Sequence, residues 1–512
     1  MAGERAPIIA GDRTRFRDDL LARARRAASA LAAAGVGEGD TVAVLLRNDF
    51  PFLEATHAAN AVGAYTVPLN WHARPDEIAY ILRDCTPRIL VVHSDLLAPI
   101  RHVVPAGTLV LAVPTPADLA RDFAIAPALA SPHSGDLIWD EWLAAFPEST
   151  LPASPPRASF IYTSGTTGHP KGVRRQPSDP DRAVAMKELF RLVYGVREGI
   201  RGFVGGPLYH ASPNAFARQC LTMADLLVLS SRFDAEGLLA AIERHRLTTL
   251  VMVPTMFVKL LKLPEAVRRR YDVSSLEWVA HTGAPCPPEV KRAMIAWWGP
   301  VLVETYGGTE TGVVTVCTSA DWLARPGTVG RAVPGATIRI LNDQGRALPS
   351  GASGEIFARS SAYADFTYHR RDDDRRAVEA DGLITCGDVG YLDADGYLFI
   401  NDRKRDMIIS GGVNIYPAEI EAVLHGCPGL RDCAVFGIPD EEFGEQVYAA
   451  IECEPDARLT ADEVRAFVAE SLASFKVPRT VEFYPALPRE ESGKIFKRRL
   501  RDPFWAGRAA AV

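Results

Sequence analysis

Phe16, Leu20, Leu21, Ala24, Ala27, Ala28 and Leu31 recur at helical spacing, and Gly35 stands where that helix should end. Asp40 then leads into a continuous apolar run at 41–46, the pattern of a buried strand. The rhythm repeats. Helical patterns at 53–62 and 77–82 precede a short apolar strand at 88–92. Strand-like runs at 249–253, 277–280 and 301–304 are separated from one another by helix-compatible segments, as at 235–244 and 288–297. Strands alternating with helices predict an α/β fold of parallel or mixed sheets covered by helices. A proline- and serine-rich stretch, 149–159, reads as the loop that delivers the chain to a strand ending near Tyr162.

From about Gly330 the texture changes to shorter β-like pieces at 337–341, 354–358, 391–392 and 397–400, with Asp395-Gly396 as a hairpin turn. After the charged run 402–406 a second, small α+β unit is predicted. It holds a helix beginning near Pro417, strands at 433–436 and 448–453, a helix at 461–473 and a strand at 480–483.

A chain of 512 residues is too long for one hydrophobic core, which agrees with two units. A net charge of −6 gives no basic surface for nucleic acid and no polybasic membrane anchor. No run approaches the roughly 18 apolar residues that span a bilayer, so stable membrane insertion is not expected. The eight cysteines form no Cys-x-x-Cys pair, and no signal peptide is visible before Asp12 and Arg13, so a reducing cytoplasm is the expected location. The high Ala, Arg, Gly and Pro content suggests a GC-rich bacterial source.

The chemistry concentrates at 162–173, YTSGTTGHPKGV. Small residues leave backbone N–H groups unshielded, hydroxyls on Tyr162, Thr163, Ser164, Thr166 and Thr167 can donate, and Lys171 adds a cation after Pro170. Such a loop suits a polyphosphate, though it lacks the Walker spacing. A second stretch, ETYGGTETG at 304–312, follows a strand; Tyr306 offers a face for stacking and Glu310 an oxygen ligand for magnesium. HTGAP at 281–285 is a weaker strand-end signal. Asp388 in CGDVGYLD suits two ribose hydroxyls, and Arg403 in NDRKRDMIISGG suits ribose or phosphate; each taken alone reads more readily as a surface ion pair. Lys494 follows Gly493 in ESGKIFKRR.

In order and spacing these motifs resemble the adenylate-forming superfamily of acyl- and aryl-CoA synthetases, peptide-synthetase adenylation domains and firefly luciferase. The resemblance runs from about residue 16 to residue 500, and 402–421 is similar to the CoA ligases in particular. It implies a large N-terminal domain, 1–402, with two helix-flanked sheets, a small β-rich subdomain and the acyl and ATP sites. It also implies a small mobile C-terminal domain, 406–512, with the active site in the cleft between them. The implied partners are a carboxylic acid, ATP with Mg2+, and coenzyme A; assembly as a homodimer stays open. Two half-reactions are implied: a carboxylate attacks the α-phosphate to give acyl-AMP and pyrophosphate, then the CoA thiol takes the acyl group and releases AMP.

The resemblance also assigns roles. Thr163, Ser164, Gly165, Thr166, Thr167, Gly168 and Lys171 match the loop that holds the β- and γ-phosphates, and Thr166 with Glu310 the magnesium-associated pair. Gly283, Ala284, Pro285 and Tyr306 match the adenine pocket, with Thr309 near the α-phosphate and Asp388 and Arg403 as the ribose pair. Lys494 matches the adenylation lysine, Gly412 the pantetheine-tunnel loop, and His210 in GGPLYHASP the gate between acyl pocket and nucleotide. The chain departs from the family at Leu383 and Cys386, where Trp and Thr are usual, and at Arg405, where the hinge usually has Asp or Lys.

For the acyl group, walls are expected from 203–214, 253–257, 281–284 and 306–313. Their small residues Gly205, Gly206, Ala211, Gly283, Ala284, Gly307 and Gly308 leave room for bulk, and no basic residue stands out to pair a second carboxylate. A hydrophobic monocarboxylate is expected: aryl, fatty, or a polycyclic terpenoid or steroid acid. The alternatives are an adenylating enzyme that loads a carrier protein in trans, and a luciferase-like oxygenase. A non-enzymatic nucleotide sensor would leave Lys494 without use.

Overall fold

The computed structural model describes residues 6–150, 154–163, 170–404, 406–410, 413–489 and 495–506. The first helical pattern is the helix Arg17–Ala33, which buries Leu20, Ala24, Ala27, Ala28 and Leu31. The helix expected from residue 53 begins earlier, at Phe50, because the Asp49 carboxylate accepts the Phe50 N–H and caps it.

The early apolar runs assemble a parallel five-stranded sheet in the order Tyr65–Pro68, Thr41–Leu45, Ile89–His93, Leu109–Val113, Leu137–Ile138. Thr41–Leu45 and Ile89–His93 are buried at every position, as strands covered on both faces must be. The later runs form the parallel half of a fourteen-stranded sheet, ordered Leu226–Leu229, Arg201–Val204, Thr249–Met252, Trp278–His281, Leu302–Gly308. Helical residues such as Leu20, Phe52, Phe190 and Phe216 fill one core with Val42, Val91, Val204 and Leu229 from the two sheets.

The β-rich segment continues the large sheet without a break. Leu302–Gly308 turns back antiparallel into Gly312–Thr318, followed in order by Thr328–Ala332, Tyr397–Arg403, Leu383–Leu392, Gly354–Ser360 and Ala336–Leu341. In a separate three-stranded sheet, Phe366–Tyr368, Lys171–Arg175, Ile161–Thr163, the last two strands pair antiparallel and so bring Thr163 and Lys171 side by side. The return strand Lys171–Arg175 escapes the sequence pattern because two of its five residues are arginine and one is glycine.

Beyond Arg403 the chain leaves the large sheet, and Ile408–Ser410 enters a five-stranded sheet with Val413–Ile415, Gly444–Cys453, Leu430–Asp440 and Thr480–Phe483. The helices Pro417–Leu424 and Ala461–Ser471 cover one face with Ile420, Leu424, Val464 and Val468. A third helix, Lys497–Trp505, buries Leu500 beside Phe436 and Tyr448 on the other face. Among the described residues no helix is long and apolar enough to cross a membrane.

Candidate active site

One cavity of about 1840 Å³ opens between the strand ends of the N-terminal sheets and the C-terminal unit, which contributes Gly437, Glu445 and Trp505 to its wall. Thr163, Lys171, His210, Gly283, Thr309, Glu310, Asp388 and Arg403 all line it. Ala284, Pro285 and Tyr306 do not line it, although Ala284 and Tyr306 adjoin glycines that do, Gly283 and Gly307. Ser164, Gly165, Thr166, Thr167, Gly168, Arg405, Gly412 and Lys494 lie outside the described residues.

Thr163 ends one strand of the hairpin and Lys171 begins the other, and the two are register partners. The Lys171 ammonium lies 3.3 Å from Asp374 Oδ2 and 5.2 Å from the centre of the Tyr368 ring, so a buried stem delivers its charge to the wall. Tyr162 departs from expectation. Its hydroxyl donates to Asp84 Oδ2 at 2.5 Å and its ring stacks on Phe160, which commits it to the scaffold rather than to a ligand.

Glu310 sits in the turn between Leu302–Gly308 and Gly312–Thr318. Its Oε1 accepts from Tyr368 OH at 2.9 Å and Thr163 Oγ1 at 3.3 Å, while Oε2 has no hydrogen bond among the described residues. A carboxylate fixed by one oxygen and open at the other fits a hard cation that also takes phosphate oxygens. Burial and the neighbouring carboxylate push the Tyr368 phenol above its ordinary value, so it stays a donor. The turn itself is held by Arg175, whose Nη2 donates to the carbonyls of Thr309 and Glu310 at 2.7 and 2.8 Å and whose Nη1 donates to Ala364 at 2.7 Å. Sequence inspection missed Arg175. It stands four places after Lys171 on the same strand, so the period of two puts both on one face.

Asp388 and Arg403 are register partners on neighbouring antiparallel strands, with Arg403 Nε 3.4 Å from Asp388 Oδ1. Tyr306 OH donates to Asp388 Oδ2 at 2.8 Å. Burial first, and then the Asp388 charge, raise the Tyr306 phenol well above its usual value and keep it protonated. Cys386, at one of the positions that depart from the family pattern, fills the space beside Gly308: a Cβ there would meet its Sγ at 2.4 Å.

His210 precedes the helix Ala211–Met223, its ring 4.4 Å from that of Tyr209. His72, in electrostatic reach of His210, is pushed down to about 3 by burial and then by the Arg47 charge. The glycines expected to widen the acyl pocket do not all do so. A Cβ on Gly205 would meet the Phe203 ring at 2.8 Å and one on Gly307 the Gly312 carbonyl at 2.0 Å, so a side chain fills the space beside the first and backbone the space beside the second. The wall is otherwise apolar, with Met186, Phe190, Tyr194, Val253 and Met256. Basic side chains also reach the cavity, Arg157, Arg218, Arg232 and Lys259 among them, contrary to the expectation that none would stand out.

Comparison with known proteins bears on this geometry. Residues 4–365 match the AMP-binding enzyme family, and residues 419–494 match the AMP-binding enzyme C-terminal domain. The chain is 34% identical over 514 residues to the 3-[(3aS,4S,7aS)-7a-methyl-1,5-dioxo-octahydro-1H-inden-4-yl]propanoyl:CoA ligase of Rhodococcus jostii, with 98% of this chain and 96% of the relative covered. It is 32% identical over 512 residues to the fatty acid–[acyl-carrier-protein] ligase ScoC of Streptomyces coeruleorubidus, with 99% and 94% covered. The amide bond synthetase McbA of Marinactinospora thermotolerans has a similar structure, with a TM-score of 0.84 at 29% identity over 98% of this chain and 97% of McbA. The match extends through both units: the chain belongs to the AMP-binding enzyme family, the adenylate-forming enzymes that its motifs resemble.

Proposed function

We propose that the protein activates a large apolar monocarboxylate as its acyl-adenylate and passes the acyl group to coenzyme A. In coarse terms it is an AMP-forming acid–thiol ligase that uses ATP, Mg2+ and CoA. The observation that carries the finer reading is the single cavity in which Thr163, Lys171, Glu310, Asp388 and Arg403 meet an apolar wall.

On this reading the hairpin loop and Lys171 hold the β- and γ-phosphates, Thr166 and Glu310 hold magnesium, and Asp388 with Arg403 holds the ribose. Gly283, Ala284, Pro285 and Tyr306 frame the adenine, with Thr309 by the α-phosphate. Magnesium supplies charge neutralisation to the phosphates. A carboxylate oxygen attacks the α-phosphorus, the bond to pyrophosphate breaks, and Lys494 stabilises the charge gathered there. The unit 406–512 then turns, Gly412 lines the pantetheine tunnel, His210 gates the acyl pocket from the nucleotide, and the CoA sulfur replaces AMP at the acyl carbon. Supporting a separate moving unit, the large sheet ends at Arg403 and the next begins at Ile408. The eight free cysteines fit a reducing cytoplasm.

The test is acid-dependent exchange of labelled pyrophosphate into ATP across a panel of carboxylic acids, followed by thioester formation with CoA. Exchange with large apolar acids and a CoA product is expected; best use of acetate or malonate overturns the acyl reading. The similarity to ScoC favours a second acceptor, a carrier protein. Thioester on a phosphopantetheinylated carrier, with none on CoA, would establish that acceptor instead.

A further inference from the structure

The helix Ala211–Met223 runs along the apolar part of the cavity and turns Ala211, Ala215 and Arg218 to it, spaced four and three residues apart as one helical face requires. Arg218 stands seven residues beyond Ala211, about 10 Å farther along the axis at 1.5 Å per residue. The same cavity is lined by the apolar Met186 and Phe190 and, next to Arg218 on the helix, by Gln219. Among the described residues Arg218 has no carboxylate partner. Its one hydrogen bond runs from Nη2 to the Arg157 carbonyl at 2.9 Å. That carbonyl also accepts the Asn60 amide at 3.0 Å, so both of its lone pairs are engaged and the guanidinium is anchored by one corner. Burial draws Arg218 down to about 10, still charged at neutral pH. His57 nearby is driven to about 4 by burial and by the Arg218 charge, so it is neutral and supplies no counter-charge.

A cation that lines a substrate cavity, anchored to backbone and lacking a protein counter-charge, leaves N–H donors for a ligand. We propose that Arg218 is a specificity residue that recognises an oxygen acceptor, a ketone or carboxylate, at the end of the acid remote from the reacting carboxylate. The inference rests on the acyl reading above. It narrows the substrate from a uniformly apolar acid to one whose body spans roughly 10 Å and ends in oxygen, given the two helical turns between Ala211 and Arg218.

The experiment compares acids matched in length and shape that end in methyl, ketone or carboxylate, as kcat/KM for pyrophosphate exchange, in the parent enzyme and in Arg218→Met. A site built to bond a polar group rejects the analogue without it. The parent should therefore favour one oxygen-ended acid over its methyl partner by roughly ten-fold or more, and Arg218→Met should erase that preference while changing methyl-ended acids by less than about three-fold. Which oxygen-ended acid gains separates the neutral from the anionic acceptor. A parent indifferent to the terminal group, or equal losses on both acids in Arg218→Met, overturns the proposal. If Arg218→Met loses its cooperative melt, Arg218→Gln carries the same comparison. Failure of every acid to support exchange would instead reject the adenylation reading.

Discussion

Tyr306 donates its phenolic hydrogen to Asp388 Oδ2 across 2.8 Å, and Arg403 holds the other carboxylate oxygen at 3.4 Å. The carboxylate is thus oriented from both sides by the protein itself, as the proposed ribose role requires. Removing the phenol in Tyr306→Phe deletes a hydrogen bond to a charged acceptor, worth about 1.5–3 kcal/mol. The KM for ATP should rise about ten- to a hundred-fold with a smaller change in kcat. Steady-state kinetics over ATP concentration checks this; an unchanged KM would show that Asp388 needs no such support.

Arg175 donates to three carbonyls, those of Thr309 and Glu310 in the turn and that of Ala364. Arg175→Met should strand them in a buried setting at about 1–3 kcal/mol for each group left unpaired. Urea unfolding should show a loss of about 3 kcal/mol or more. Arg175→Lys, which satisfies fewer of them, should fall between. Equal stability in all three proteins would mean that water replaces the guanidinium.

Glu310→Gln keeps the shape of the turn and removes the charge offered by the open Oε2. Pyrophosphate exchange should fall at least ten-fold, because a neutral amide is a weaker partner for a divalent ion. Titration with magnesium should recover part of the rate. A variant with parent activity, or a parent reaction that ignores EDTA, removes Glu310 from the metal.

Lys494 belongs to the part of the chain outside the described residues, and its expected role is confined to the first half-reaction. Fixed charge at a transition state is worth ~3–4 kcal/mol, or a few hundred-fold in rate. Lys494→Ala should lose acyl-AMP formation by that factor and still convert synthetic acyl-AMP and CoA to thioester. Equal loss of both steps in a folded variant rejects the alternation of the C-terminal unit.

Much of this site is legible before any coordinates. The Asp395-Gly396 turn lies midway between Asp388 and Arg403, so folding the hairpin about it brings the two together; the bulge between Val389 and Gly390 adjusts the register by one place. The helix Arg17–Ala33 and the buried parallel strands are equally plain, because apolar spacing alone specifies them. What stays hidden depends on distant chain. Arg175 reads as one of two charges at a strand end until Thr309 and Glu310 arrive from elsewhere to meet it. Arg218 reads as the polar position of an amphipathic helix, since spacing does not tell solvent from cavity. The helix Lys497–Trp505 is masked by its four basic residues and an internal proline, and its burial depends on the sheet face that carries Phe436 and Tyr448.

The strand order of the large sheet has a consequence for its shape. Between the strand of Tyr306 and the strand of Asp388 lie Gly312–Thr318, Thr328–Ala332 and Tyr397–Arg403. Four inter-strand steps of about 4.8 Å would hold the two residues roughly 19 Å apart on a flat surface. Their side chains nonetheless meet, so this wing of the sheet is rolled over on itself. The roll has identifiable creases, the register shifts at Tyr306/Gly307, Thr328/Gly330 and Val389/Gly390, since bulges bend the strands that carry them. At each crease a glycine lets two backbones touch: a Cβ on Gly307, Gly330 or Gly390 would sit 2.0–2.1 Å from a carbonyl oxygen. Adding a single methyl group at any of the three would therefore force the roll open and part Tyr306 from Asp388.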